Sequence, residues 1–179
     1  MPSCKNTKPV CLTLFLVLLL NLGPAKAAEL ELAQRQWLAG QGPQAVATVE
    51  AALLKTPNEL KLRFALGVMR MELGEQAAAL SIFTALTQDF PDLADPQNNL
   101  AVVYASMGEL DLAQRALEQA LALQPDHSQA QENLGDVLLR LALRAYQRAQ
   151  HAQVAPSSSL ALKVSRTNDL LQAAKLPKR

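Results

Sequence analysis

The sequence predicts an all-α solenoid of stacked helix hairpins, and three observations carry that expectation. Residues recur with a 34-residue period, Gly and Pro fall at two fixed phases of it, and the composition is 50% hydrophobic with only 4% aromatic side chains. Six columns share the period: Pro57, Pro91 and Pro125; Gly40, Gly74 and Gly108; Ala45, Ala79 and Ala113; Leu32, Leu66, Leu100 and Leu134; the small residues Ala33, Gly67, Ala101 and Gly135; and the apolar Val49, Phe83 and Leu117. A period of this length marks one supersecondary unit that cannot bury its apolar face alone, so stacking supplies the core.

Each column has a physical reason. Gly permits the backbone geometry that ends a helix, so it separates a first helix from a second. The small residue after Leu lets neighbouring helices approach closely. Spacings of four, as from Ala79 to Phe83, put both residues on one face of the second helix. Pro stops that helix, and the adjacent Asn58, Asp92 or Asp126 is expected to help cap the next one. The repeats fall at about 28–59, 60–93 and 94–127.

A fourth unit, about 128–155, is degenerate. Leu134, Gly135 and Leu138 fit a first helix, but Ala142, Tyr146 and Ala149 fit a second helix five residues too early. Gly135 is the only Gly or Pro between Ser128 and Ala155, so one long helix from about Ser128 to Gln153 is predicted in place of a hairpin. Pro156-Ser157-Ser158-Ser159 breaks it, opening a linker and basic tail at 156–179. Leu160, Val164, Leu171 and Ala174 share one helical face, so Ser159–Lys175 is either a capping helix or a frayed end.

The first 27 residues read as a secretory signal peptide and not as part of the fold. Lys5 and Lys8 precede an apolar run from Val10 to Leu20 that only Thr13 interrupts, and small residues stand at Ala25 and Ala27. The 13 positions from Val10 to Leu22 fall short of the roughly 20 that a spanning helix needs. Cleavage is expected after Ala27, and export then follows, to the periplasm in a Gram-negative bacterium. Cys4 and Cys11 lie too early for a lipid anchor and leave with the leader. The mature 152 residues hold no cysteine, which suits an oxidising compartment and excludes thiol chemistry. Their charge is divided: residues 28–137 are net −9, whereas residues 138–179 are net +7.

The repeat resembles the tetratricopeptide family. Leu100, Ala101, Tyr104, Gly108, Ala113, Leu117, Ala120 and Pro125 of the third unit stand on its signature positions, with Gln97 departing from the usual opening aromatic residue. The second unit matches through Leu66, Gly67, Gly74, Ala79, Phe83 and Pro91, with Arg70 replacing an aromatic residue or Leu. The first matches through Leu32, Ala33, Gly40, Ala45, Val49, Ala52 and Pro57. The resemblance implies a concave groove lined by the first helix of each repeat. That places Leu30, Gln34 and Trp37, then Phe64, Val68 and Met71, then Asn98, Val102 and Ala105, then Glu132, Asp136 and Leu139 along it, apolar at one end and polar to acidic at the other. Trp37 and Phe64 have a second reading, as side chains that complete the stack.

The implied function is an interaction scaffold holding a peptide or helix of an envelope partner, with Asn98 and Asn99 meeting its backbone polar groups. Family members that clamp the C-terminal carboxylate of heat-shock chaperones use Lys and Asn at positions held here by Leu30, Gln34, Lys61, Ala65 and Asn99. Most of that clamp is missing. The rival class is a structural or surface-docking protein that uses the basic tail and the stripe Arg140, Arg144 and Arg148, which otherwise reads as a solvated helix face. A third reading is a homo-oligomeric building block. No enzyme is visible. His127 and His151 are the only histidines and read as surface residues, and Asp89, Asp92 and Asp95 lack the Gly and distant Glu of a calcium loop. No metal or cofactor is expected, and an exported protein with an acidic body is a poor partner for nucleic acid.

Overall fold

Left-handed glycines set the hairpins. Gly40, Gly74 and Gly108 have φ of 75°, 79° and 85°, values at which a side chain would be strained. Beyond each, an amide reaches back five residues in the manner of a Schellman cap: Gln41 donates to the Gln36 carbonyl, Glu75 to Arg70 and Glu109 to Tyr104, each at 2.9 Å. The proline phases make the other connections. The amides of Glu59, Leu93 and His127 donate to the carbonyls of Thr56, Phe90 and Gln124 at 3.1–3.2 Å, closing β-turns with Pro second and Asn or Asp third.

That geometry corrects one expectation. Asn58, Asp92 and Asp126 are turn residues, one position before the helix caps. The caps are Glu59 and Leu93, which supply no side-chain bond, and His127, which does.

The computed structural model describes residues 24–152 and 157–175. Among them are eight helices: α1 Pro24–Leu38, α2 Gly42–Lys55, α3 Leu60–Glu72, α4 Gln76–Asp89, α5 Ala94–Ser106, α6 Leu110–Leu123, α7 Ser128–His151 and α8 Ser158–Lys175. Each packs on its successor, and α3 on α5 and α5 on α7 pack as well, so the first helices of the hairpins form a layer of their own. The predicted leader lies outside the described residues except for its last four, which begin α1. The long helix replacing a fourth hairpin is observed as α7, 24 residues long. The tail helix is observed as α8, which packs along α7 with the Lys163 ammonium 5.7 Å from the Tyr146 ring centre.

The core is three clusters, each formed by one hairpin and the first helix of the next. Leu30, Ala33 and Val49 meet Leu62, Leu66 and Met69; Phe64 and Phe83 meet Leu100 and Val103; Ala101 and Leu117 meet Ala130 and Val137. Small and large residues are matched within hairpins. Where Ala33 accompanies Val49 and Ala101 accompanies Leu117, Gly67 accompanies the bulkier Phe83. A Cβ on Gly67 would stand 2.8 Å from Phe83 Cζ. Gly135 corrects the reading of its column, because a Cβ there would meet nothing within 4 Å. No residue of α8, the helix that packs along α7, comes close enough to Gly135 to demand the space.

Ion pairs occupy positions where the period has no fixed residue type. Glu29–Lys55 at 2.8 Å recurs 34 residues later as Arg63–Asp89 at 2.6 Å, with the charges exchanged. Arg70, standing where an aromatic residue is usual, joins Glu50 of α2 to Glu75 at the start of α4. Its hydrogen bonds to Glu75 and Glu50 raise its pKa, so the guanidinium is held charged.

Candidate partner-binding face

The first-helix layer of α1, α3, α5 and α7 carries the residues singled out as a groove. Burial sorts them into floor and surface. Leu30 is fully buried in the first cluster, and this corrects its assignment to the groove: it faces α2 and α3. Phe64 and Val68, at 7% and 4% exposure, are corrected in the same way. Phe64 packs edge-on against Phe83 with ring centres 5.7 Å apart, and both side chains belong to the cluster that seats α5 on α4. Apolar surface already withdrawn from water has almost nothing left to gain from a partner.

The asparagines are also spent inside the fold. Asn98, 3% exposed, accepts a hydrogen bond from the Asn133 amide at 2.8 Å, tying α5 to α7. Asn99 donates to the Asp95 carbonyl one turn earlier at 2.9 Å. Neither presents its amide to a partner's backbone. Satisfying a buried amide internally is the ordinary requirement for a polar group away from water.

What remains on the surface is a shorter set. Gln34, Trp37, Met71, Val102, Ala105 and Leu139 are half-buried, and Glu132 and Asp136 are exposed. Trp37 packs against the first cluster and lies over Gly42, where an added Cβ would stand 3.4 Å from its ring. It therefore completes the stack and still shows an edge. The apolar-to-acidic gradient along the face persists, carried by Trp37, Met71 and Val102 at one end and Glu132 and Asp136 at the other.

The basic stripe is divided by the structure. Arg144 makes a bidentate pair with Asp111 of α6, both contacts at 2.8 Å. That hydrogen bond is the main cause of the depressed pKa of the Asp111 carboxyl. Arg144 is thus a tie between α6 and α7, which corrects its assignment to a free stripe. Arg140 is half-buried and Arg148 exposed.

His127 also departs from expectation. It is a buried helix cap and not a surface loop residue. Its Nδ1 accepts the Ala130 amide at 3.2 Å, so Nε2 carries the proton and donates to Asp95 at 3.0 Å. The 34-residue period aligns His127 with Glu59 and Leu93, neither of which caps, so the columns held no signal for it. Nδ1 thus caps α7, and Nε2 ties that cap to α5.

A depression of about 580 Å³ opens between α5 and α6, lined by Gln97, Leu100 and Tyr104 on one side and by Leu112, Arg115 and Ala116 among others on the opposite side. None of the predicted groove residues lines it. The sequence did hold a signal, since Gln97 stands where the repeat pattern asks for a bulky aromatic side chain. Among the described residues there is no group of three or more His, Cys, Asp or Glu side chains able to hold a metal ion, and no helix long and apolar enough to cross a membrane.

Two family models described as tetratricopeptide repeat match the chain, one over residues 30–94 and the other over residues 70–137. No curated protein matches it. Among solved structures it is similar to MamA of AMB-1, with 19% identity, 76% of this chain and 78% of that chain covered, and a TM-score of 0.55. YrrB, described as a TPR protein with an unusual peptide-binding site, is 27% identical over 63% of this chain and 57% of its own, with a TM-score of 0.56. The first TPR of Spaghetti (RPAP3), bound to an HSP90 peptide, is 17% identical over 72% of this chain and 93% of its own, with a TM-score of 0.59. At such identities the likeness to MamA and to RPAP3 is one of fold.

Proposed function

Because this chain belongs to the tetratricopeptide repeat family, we propose that it is an exported scaffold holding a peptide or helix of an envelope partner on the face of α1, α3, α5 and α7. The observation that carries the proposal is the gradient left after the core is subtracted: half-exposed Trp37, Met71 and Val102, followed by exposed Glu132 and Asp136. A partner segment with apolar side chains at one end and basic ones at the other fits this order. Two solved relatives, YrrB and the RPAP3 repeat, are described with a peptide-binding site or a bound peptide, which supports a protein or peptide partner here. Phe64 and Val68 form the floor beneath that segment and give it shape. Export rests on the basic start, the apolar run from Val10 and the small residues Ala25 and Ala27. A binding role, and not catalysis, agrees with a structural post for His127, the one buried histidine among the described residues.

Met71→Glu combined with Val102→Glu tests the face while sparing the floor. Crosslinked pull-down from the envelope fraction is expected to lose the partner with this variant while the far-ultraviolet helical signal is unchanged. Undiminished capture would sink the proposal. N-terminal sequencing of the exported protein should begin at Ala28.

A second reading, docking on an anionic surface through residues 138–179, is favoured by their net charge of +7. Arg140 and Arg148 carry it once Arg144 is committed to Asp111. Salt separates the two: surface docking fades as ionic strength shortens the screening length below about 8 Å, whereas apolar capture persists.

A further inference from the structure

The stack covers its own leucine column by a simple rule, and the rule is broken at one end. Leu66 is 9% exposed and Leu100 7%, because each is covered by the preceding hairpin: Leu66 shares a cluster with Val49 and Ala52 of α2, and Leu100 with Phe83 and Leu86 of α4. Leu32, their counterpart in the first repeat, is 42% exposed. Leu54 is 87% exposed. It belongs to the same surface, since Leu32 and Leu54 stand 68 positions before Leu100 and Ala122, which line one depression together.

At the opposite end, α8 takes the place of the second helix of the degenerate unit by packing along α7. Its packed side is the half-buried Leu160, Val164 and Leu171 with the buried Thr167. The other side shows Leu162 and Leu170, 57% and 58% exposed, eight residues apart with Arg166 between them. Residues eight apart on a helix share a face.

We propose that copies of this chain associate end to end, α8 of one copy covering Leu32 and Leu54 of the next as α2 covers Leu66 within a chain. The occupant is a second copy because Leu32, at the exposed end, repeats the position that α2 covers at Leu66 and α4 covers at Leu100 within the chain. Charge selects the direction. Tail-to-tail pairing would bring together two ends of net charge +7, whereas head-to-tail pairing sets that end beside a body of net charge −9. Locally, Arg166 between the two leucines meets the exposed Glu31 beside Leu32, Glu29 being already paired with Lys55. Such a heterologous contact is not a two-fold one, so it yields rings or open chains of copies and not a symmetric dimer. It involves neither Met71 nor Val102 and stands apart from the partner-binding face.

The test uses two blocked variants of the full-length protein, isolated in its processed form. One carries Leu32→Arg and Leu54→Arg, the other Leu162→Arg and Leu170→Arg. All four positions are exposed, so both variants are expected to retain the helical signal. In sedimentation velocity up to about 1 mM protein, the parent is expected to grow past the dimer with concentration. Each variant alone should weaken association at least about tenfold. An equimolar mixture should form a dimer and nothing larger, since each variant keeps one open end and the blocked ends repel. A parent that stays monomeric overturns the proposal. So does association that survives the Leu32 and Leu54 replacements, or a mixture that does not pair. Loss of association with the α8 variant alone would mean a symmetric contact through α8, and that also overturns it.

Discussion

Replacing Gly67 by Ala sets two known effects against each other at a place where the structure decides the winner. In a helix interior the change ordinarily stabilises by about 1 kcal/mol, because Gly has more backbone freedom to lose on folding. At Gly67 the new methyl would lie 2.8 Å from Phe83 Cζ and 3.1 Å from both Phe83 Cε1 and Ile82 Cγ2. The Phe83 ring is fully buried and pinned edge-on by Phe64, so it cannot retreat. Overpacking a close-packed core costs roughly 1–3 kcal/mol, and the expected balance is a loss of about 1 kcal/mol.

Gly135→Ala, in the same repeat column, meets nothing within 4 Å and is expected to gain most of the roughly 1 kcal/mol that Gly67→Ala forfeits. Urea unfolding followed by circular dichroism measures both, provided the slopes match the parent, since a stack of repeats need not unfold in one step. Adding Phe83→Leu to Gly67→Ala recreates the Ala101–Leu117 pairing of the third repeat, and the cycle is expected to show a coupling of about 1–2 kcal/mol. Gly67→Ala as stable as the parent, or a coupling near zero, would refute the close approach as the reason for this glycine.

Two further outcomes follow from the polar ties. His127→Ala removes a helix cap and leaves the buried Ala130 amide without its acceptor, so a loss of about 1–2 kcal/mol is expected. His127→Asn keeps a capping acceptor and should recover part of it, and hydrogen exchange at the Ala130 amide reports the cap directly. The Asp111 carboxyl has its pKa lowered in the folded state, chiefly by the Arg144 hydrogen bond. Its contribution to stability is therefore present above the unfolded-state pKa and disappears as pH falls through the folded one. Arg144→Gln should move the Asp111 titration, followed by carboxyl carbon resonances, toward its ordinary value and flatten the acid side of the stability profile. A titration that does not move would show that the pair is not maintained in solution.

The hairpins and the long α7 were legible because each depends on short-range chemistry. Gly at a left-handed turn, Pro at a β-turn and apolar residues four apart act within a few residues of chain, and a missing turn between Leu138 and Ala142 is visible as missing turn residues. The binding face was legible only as a register. The positions of Leu30, Phe64 and Val68 on the first helices followed from the repeat, but their burial depends on how closely the next hairpin approaches. The pairs Asn98–Asn133, Asp95–His127 and Asp111–Arg144 join residues 32 to 35 apart on successive units. Nothing in a column marks them, because each occurs once.

The sequence by itself determined that this chain is a stack: the period, the turn residues and the small-to-large pairing specify helix hairpins that bury their apolar faces against one another. Only the tertiary structure decided which side chains the stack consumes. A solenoid joins its units through the same first-helix residues that its family uses to line a groove. Distances between neighbouring units, which no one-dimensional pattern contains, therefore settle whether a side chain such as Phe64 is floor or surface. They also show that the leucine column is buried at Leu66 and Leu100, each under the hairpin before it, and is left exposed at Leu32.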